Sequence, residues 1–250
     1  MTTTRGRVRV EPTAKRVRTY LGGRLIADSV NVKMVWEKPY YPTYYIPASD
    51  VNIEFLVASG DTNRSPSRGD SEVYDVKTDK AEALGAALWY RQSPIDEIAD
   101  HVRIDFGQME SWFEEDEQIY VHPRDPYTRV DVLQSSRHVE VFIGGEKVAD
   151  SRQPKLLFET GLPTRYYLPK TDVRMDLLTV TDLETYCPYK GMANYYTVDA
   201  GGESFENVVW WYRHPIGEAA DIAGYVSFYN ERVEIHVDGV PEQPPETPFS

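Results

Sequence analysis

Cys187-Pro188-Tyr189-Lys190-Gly191 holds the only cysteine of the 250-residue chain, a lysine three positions on, and a glycine that closes a turn. A degenerate twin, Ser65-Pro66-Ser67-Arg68-Gly69, lies 122 positions earlier. Outward from these two stretches, residues 21–92 align with 143–214 without a gap. Gly22-Gly23 meets Gly144-Gly145, and Ala27-Asp-Ser29 meets Ala149-Asp-Ser151. Tyr44-Tyr45-Ile-Pro47 meets Tyr166-Tyr167-Leu-Pro169, and Trp89-Tyr-Arg91 meets Trp211-Tyr-Arg213. Twenty of the 72 aligned positions are identical, against about four expected by chance at ordinary residue usage. A one-residue shift then brings Pro94-Ile95 onto Pro215-Ile216 and Asp100 onto Asp221. The chain is a tandem duplication, and a period of about 120 residues is that of a domain, not of a solenoid repeat.

Eighteen Tyr, five Trp and abundant Val, punctuated by sixteen Gly and seventeen Pro, favour strands. The expected fold is mainly β, two homologous small β-sheet domains with little helix. Gly22-Gly23 between Val17–Leu21 and Arg24–Ala27 supplies the positive φ of a two-residue hairpin. Val51–Val57 alternates and reads as strand, Ser59–Asp70 as a polar loop, and Tyr40–Pro47 as an extended edge or loop because of its prolines. After Pro94 a short helical turn is expected. The expected boundaries are a flexible arm over 1–15, a first repeat over 16–117, a linker over 118–136, a second repeat over 137–239, and a disordered proline-rich tail over 240–250.

A formal net charge of −13 argues against nucleic acid or an anionic membrane as partner. A single cysteine excludes an internal disulfide and fits a reducing compartment. There is no apolar leader and no run of about 20 apolar residues, so a cytoplasmic location is expected. No phosphate-binding glycine loop, H-E-x-x-H, C-x-x-C or G-x-S-x-G stands in the sequence. No metal site and no cofactor are expected, and the chain is read as a monomer or homodimer.

Residues kept in both copies point to the shared fold. Glu37/Glu159, Asp50/Asp172 and Arg91/Arg213 are kept charges, and an arginine inside an apolar strand calls for a carboxylate partner. An ion pair from Arg213 to Glu159 or Asp172 is therefore expected, with a clamp on an anionic ligand as the alternative. Residues that differ mark where one copy gained or lost chemistry. Cys187, Tyr189 and Lys190 replace Ser65, Ser67 and Arg68, and His214 replaces Gln92. A thiol near a lysine is a candidate nucleophile, with His214 as the nearest candidate base; the plain alternative is a small buried hydrophobe. Tyr166, Tyr167, Tyr189 and Trp211 could line an apolar pocket or simply pack a sheet.

The order G-G-x-x-x-A-D-S, E-T-x-x-P-x-x-Y-Y-x-P-x-x-D-V, C-P-Y-K-G, V-W-x-Y-x-x-P and I-A-G-Y-V-x-F-Y resembles the bacterial family known as domain of unknown function 427. These segments are Gly144–Ser151, Glu159–Val173, Cys187–Gly191, Val209–Pro215 and Ile222–Tyr229, and the resemblance covers nearly the whole chain. It implies a compact, mostly β domain, similar to the β-tent folds. A nucleotidyltransferase-type label attached to the family implies a third reading, but no carboxylate pair with a Gly-Ser loop stands in this sequence to support it. The leading expectation is a small anionic molecule bound in the second repeat by Lys190, Arg213, the tyrosines, Trp211 and His214, with Cys187 as contact or nucleophile. The alternative is a non-catalytic interaction module built on the duplication.

Overall fold

The computed structural model describes residues 8–247. The chain divides into two compact units, residues 1–125 and 126–250. The first contains β1 (Arg9–Pro12), β2 (Val17–Leu21), β3 (Arg24–Ser29), β4 (Lys33–Trp36), β5 (Thr43–Pro47), β6 (Leu56–Ser65), β7 (Gly69–Lys77), β8 (Glu82–Tyr90), β9 (His101–Ile104), β10 (Ser111–Glu114) and β11 (Glu117–Ile119). The second contains β12 (Val130–Gln134), β13 (Val139–Ile143), β14 (Glu146–Ser151), β15 (Lys155–Glu159), β16 (Arg165–Pro169), β17 (Leu178–Cys187), β18 (Gly191–Ala200), β19 (Glu203–Tyr212), β20 (Tyr225–Phe228), β21 (Glu234–Val237) and β22 (Val240–Pro241). The only helices among the described residues are short 3-10 turns, so the mainly β expectation holds. None is long and apolar enough to cross a membrane.

Each unit has a seven-stranded and a four-stranded antiparallel sheet, in matching order. The large sheets run β1-β4-β5-β9-β8-β7-β6 and β12-β15-β16-β20-β19-β18-β17; the small ones run β11-β10-β2-β3 and β14-β13-β21-β22. Strict alternation explains how the layers meet: Val139, Val141 and Ile143 of β13 are buried while Glu140 and Phe142 are only partly so, as a half-covered sheet requires. The second unit's main core joins these residues to Tyr166, Leu168, Val209, Val226 and Phe228 of the large sheet. A second cluster, on the opposite face of that sheet, gathers Leu157, Tyr167, Tyr189, Tyr195, Trp210 and Tyr212 under Ala219 and Ile222 of the 3-10 segment Gly217–Ile222.

Gly22 and Gly23 turn the first hairpin at φ 56° and 72°, and Gly144 and Gly145 the second at 59° and 77°, as the sequence required. In the second unit this hairpin meets another glycine turn back to back. A Cβ on Gly201 would lie 2.1 Å from the Gly144 carbonyl oxygen, so no side chain fits.

Several expectations are corrected. Residues 1–7 of the expected arm lie outside the described residues, but Arg9–Pro12 is β1, paired with β4. Its counterpart β12 lies inside the stretch read as linker and pairs with β15. Both fell short of the aligned region, where no internal comparison reached them. Thr43–Pro47 is a central strand between β4 and β9, possible because Pro47 sits at its end. Ile53–Phe55 is a 3-10 turn, and strand begins only at Leu56. The polar stretch 59–65 continues that strand along the sheet edge, where both faces meet solvent and alternation is lost. Glu114, the first residue of the acidic stretch 114–117, is buried and accepts from the Tyr44 hydroxyl.

Past Pro94 and Pro215 the second copy carries a longer 3-10 segment, six residues against three. Register pairs Tyr45 with Arg103 and Tyr167 with Ser227, so Asp100 corresponds to Gly224 rather than to Asp221. Both adopt positive φ, 54° and 80°.

The segments after each small sheet also match. His122 stacks on Tyr41 with ring centroids 4.0 Å apart, and Asp125 accepts from the Trp36 indole at 2.9 Å. In the second unit Tyr166 donates to Glu242 and Thr247 to Glu231. The described part of the tail, expected to be disordered, is thus a strap along its own repeat; residues 248–250 lie outside the described residues.

Gly201→Ala should destabilise the second unit by more than about 2 kcal/mol, because left-handed φ adds to a backbone clash. Gly202, at φ 83° with open space around its Cβ position, should lose only about 1 kcal/mol on the same change. Urea denaturation of both variants measures the difference; equal losses contradict the back-to-back turn.

Candidate functional site

The Cys187-Pro188-Tyr189-Lys190-Gly191 turn joins β17 to β18, with Cys187 and Gly191 as register partners. Gly191 has φ 95°, and a Cβ there would stand 3.2 Å from the His214 carbonyl. The Ile216 amide donates to the Lys190 carbonyl at 3.2 Å, which holds the turn against the strand exit. Gly69 has the same role in the first copy: at φ 87° its Cβ would meet Pro94 at 2.8 Å. The glycine and the following Pro-Ile are therefore kept for one close approach.

Lys190 points inward and its ammonium donates to Glu159, with side-chain exposures of 11% and 7%. In the first copy Glu37 faces Arg68 at 3.3 Å and Arg103 at 3.5 Å, and accepts from the Tyr45 hydroxyl at 2.7 Å. The kept carboxylate is thus paired with the cation of the turn, lysine or arginine. The expected pairing of Arg213 with Glu159 or Asp172 does not form. Arg213 follows Tyr212, which is buried in the cluster with Tyr167, and alternation sends it to the other face, over Trp211 at 5.6 Å. Arg91 likewise lies 3.7 Å over Trp89 and pairs with Glu72 at 3.0 Å. Asp50 and Asp172 accept from Ser29 and Ser151 at 2.6 and 2.7 Å, which ties the Ala-Asp-Ser strand end to the 3-10 turn in both copies.

The remaining candidates divide between the two faces. Tyr167 and Tyr189 are buried beside a half-buried Cys187. Burial pushes the Tyr167 phenol up, and its oxygen accepts from the Trp210 indole at 3.0 Å. Burial raises Tyr212 as well. Tyr166 faces the main core, and Trp211 packs there under the Lys170 ammonium at 3.8 Å. His214 is exposed. Cys187, Lys190 and Tyr167 therefore meet, while Arg213, Trp211 and Tyr166 lie away from them.

A feature that the sequence reading missed lies at the end of β16. Arg165 forms a two-pronged, buried pair with Glu231 at 2.6 and 2.7 Å and also donates to Asn230 at 3.1 Å. Thr247 adds a hydroxyl to Glu231 at 2.6 Å. Beside it opens a cleft of about 350 Å³ lined by Thr164, Tyr166, Asn230, Glu242 and Gln243, together with Pro163 and Pro245. Burial and the Glu242 carboxylate raise the Tyr166 phenol, keeping it a hydrogen-bond donor. The first copy has Thr43 where Arg165 stands, so the arginine is not among the kept charges, and that difference between the copies is its only trace in the sequence.

Two sheets folded twice over, with a half-buried cation–carboxylate pair at the same turn in each, define a duplicated mainly β protein. A family model described as Domain of unknown function (DUF427) matches residues 9–115 and again 131–239. The chain belongs to that family, as a two-copy member. No curated protein matches it.

Lys190→Met leaves Glu159 buried without its partner and should cost about 3–5 kcal/mol. Lys190→Arg, the first copy's choice, should cost under about 1 kcal/mol, and Lys190→Met with Glu159→Leu should recover most of the loss. Urea midpoints decide this; a silent Lys190→Met contradicts the pairing.

Acid stability follows from Glu231. Burial pushes its carboxyl up, but hydrogen bonds from Arg165 and Thr247 outweigh burial and hold it below the ordinary range. Its contribution is complete above the unfolded value of about 4.3 and is lost as pH falls through the lower folded value. Glu231→Gln should flatten the acid limb of stability against pH; an unchanged limb contradicts this.

Proposed function

We propose that this chain binds a small polar molecule, neutral or cationic, in the second repeat's cleft beside Tyr166 and Glu242, with the first repeat as scaffold. The observation that carries this reading is the lining: an acid, two amides, a hydroxyl and a phenol, with no basic side chain among them. Small-molecule sites combine a concave wall with a few placed polar groups in this way. An anionic ligand at the cysteine turn has less support, because Lys190 is paired with Glu159 inside the fold and Arg213 faces away. Cys187 packs against the tyrosine cluster as an apolar group, and no thiol chemistry is assigned to it.

A second reading, a protein-interaction module, draws on a separate observation. Val180, Leu183 and Tyr186 are exposed at 66%, 40% and 45% on β17, the outer strand of the large sheet. Unpaired sheet edges accept an added strand.

Backbone NMR titration with putrescine, choline and inorganic phosphate tests the first reading. The amines should shift the amides of Thr164, Asn230 and Gln243, and Glu242→Gln should abolish the effect. Phosphate shifting residues 187–191 while the amines leave the cleft unmoved would overturn it.

A further inference from the structure

The solvent face of the second unit's small sheet carries a charge arrangement that the fold does not require. Glu140 of β13 and Asp150 of β14 are register partners, and like charges directly opposite one another destabilise a strand pair. His138, just before β13, brings its Nε2 to 2.7 Å from Asp150 Oδ1, and its Nδ1 lies 3.9 Å from Glu140 Oε2. One donor atom from each of the three lies within 4.8 Å of the others. His138 is fixed from behind, its backbone amide donating to Asp238 at 2.9 Å. A cation already marks the centre: the Lys147 ammonium donates to Glu140 at 2.6 Å and to Asp150 at 2.9 Å. Arg152 approaches His138 Nδ1 at the longer distance of 3.4 Å.

The first copy shows what the same positions look like when they only hold the sheet together. Val17 pairs with Ser29 there as Val139 pairs with Ser151 here, so His138, Glu140, Lys147 and Asp150 stand where Arg16, Arg18, Leu25 and Asp28 stand. Arg16 closes on Asp28 and Arg18 on Asp116. Arginine offers donors only and cannot ligate a cation. The second copy has ligand types at both arginine positions and the same aspartate.

We propose that His138, Glu140 and Asp150 form a site for one divalent first-row metal ion, of which Zn²⁺ is the type case. One imidazole with two carboxylates suits such ions better than Mg²⁺ or Ca²⁺, which favour oxygen alone. The imidazole presents Nε2 once its single proton sits on Nδ1, and Arg152 withdraws. Lys147, 43% exposed, swings to solvent as the ion takes its place, which costs little for an exposed pair. Three protein ligands leave a coordination position for water. His236 stands opposite Glu140 on β21, but its Nε2 bonds Glu234 at 2.5 Å and its ring packs on Phe142, so it is not one of the ligands.

Calorimetric titration of the full chain, stripped with EDTA, with Zn²⁺ and separately with Mg²⁺ tests this. One Zn²⁺ per chain is expected, bound at least tenfold more weakly in His138→Ala and in Glu140→Gln. Lys147→Met should bind about tenfold more tightly, and His236→Ala should be unchanged. In the unsubstituted protein the His138 imidazole nitrogens should shift on adding Zn²⁺. Absence of Zn²⁺ binding, binding unaffected by His138→Ala, or loss in His236→Ala would each overturn the proposal. The first of these would leave an ion-paired patch in which Lys147 alone balances the two carboxylates.

Discussion

The pairing of a buried carboxylate with the cation of the β17–β18 turn holds the second unit's large sheet in shape. Glu159 ends β15 and Lys190 sits across the sheet near its far edge. Their union draws the two sides toward each other over Tyr167 and Tyr212. A carboxylate whose side chain is only 7% exposed is costly to leave without its partner. The first unit solves the same problem with Glu37 and two arginines, Arg68 and Arg103. The tyrosines beneath are consequently sealed, with phenols that burial keeps protonated. What resembled a reactive constellation around the cysteine is, in its charged part, the clasp of the fold.

The duplication was readable because glycine turns and the Asp–Ser tie leave sharp marks. Gly22-Gly23 and Gly144-Gly145 all adopt positive φ, which favours glycine, and Asp50 and Asp172 meet Ser29 and Ser151. Partner choice was harder to read. Arg213 could be recognised as needing a carboxylate, but the cation that reaches Glu159 is Lys190, 31 positions along the chain, and only the alternation of β19 turns Arg213 away. Strand β6 was hidden for a different reason: at a solvated edge neither face is apolar, so no period of two survives. The Arg165–Glu231 pair belongs to one copy alone, so it is not among the charges kept in both.

On the small sheet the two copies differ on the outer face and agree in character on the buried one. On the small sheet's outer face the first copy carries Arg16 and Arg18, the second His138 and Glu140, at equivalent register. On the buried side of the same strands Val17 and Leu21 of the first copy correspond to Val139 and Ile143 of the second. On these strands the buried positions stay aliphatic and the solvent face differs, where most substitutions cost little.

The strap after each small sheet bears on where a repeat ends. His122 and Asp125 close over Tyr41 and Trp36 in the first unit, and Glu242 and Thr247 close over Tyr166 and Glu231 in the second. The matched family segments stop at 115 and 239, short of both straps. A repeat excised at those limits would bare an indole, a tyrosine ring and a buried carboxylate that the intact chain keeps covered. The working module is longer than its recognisable signature, and a nascent first repeat must wait for its following segment to leave the ribosome before its surface is complete.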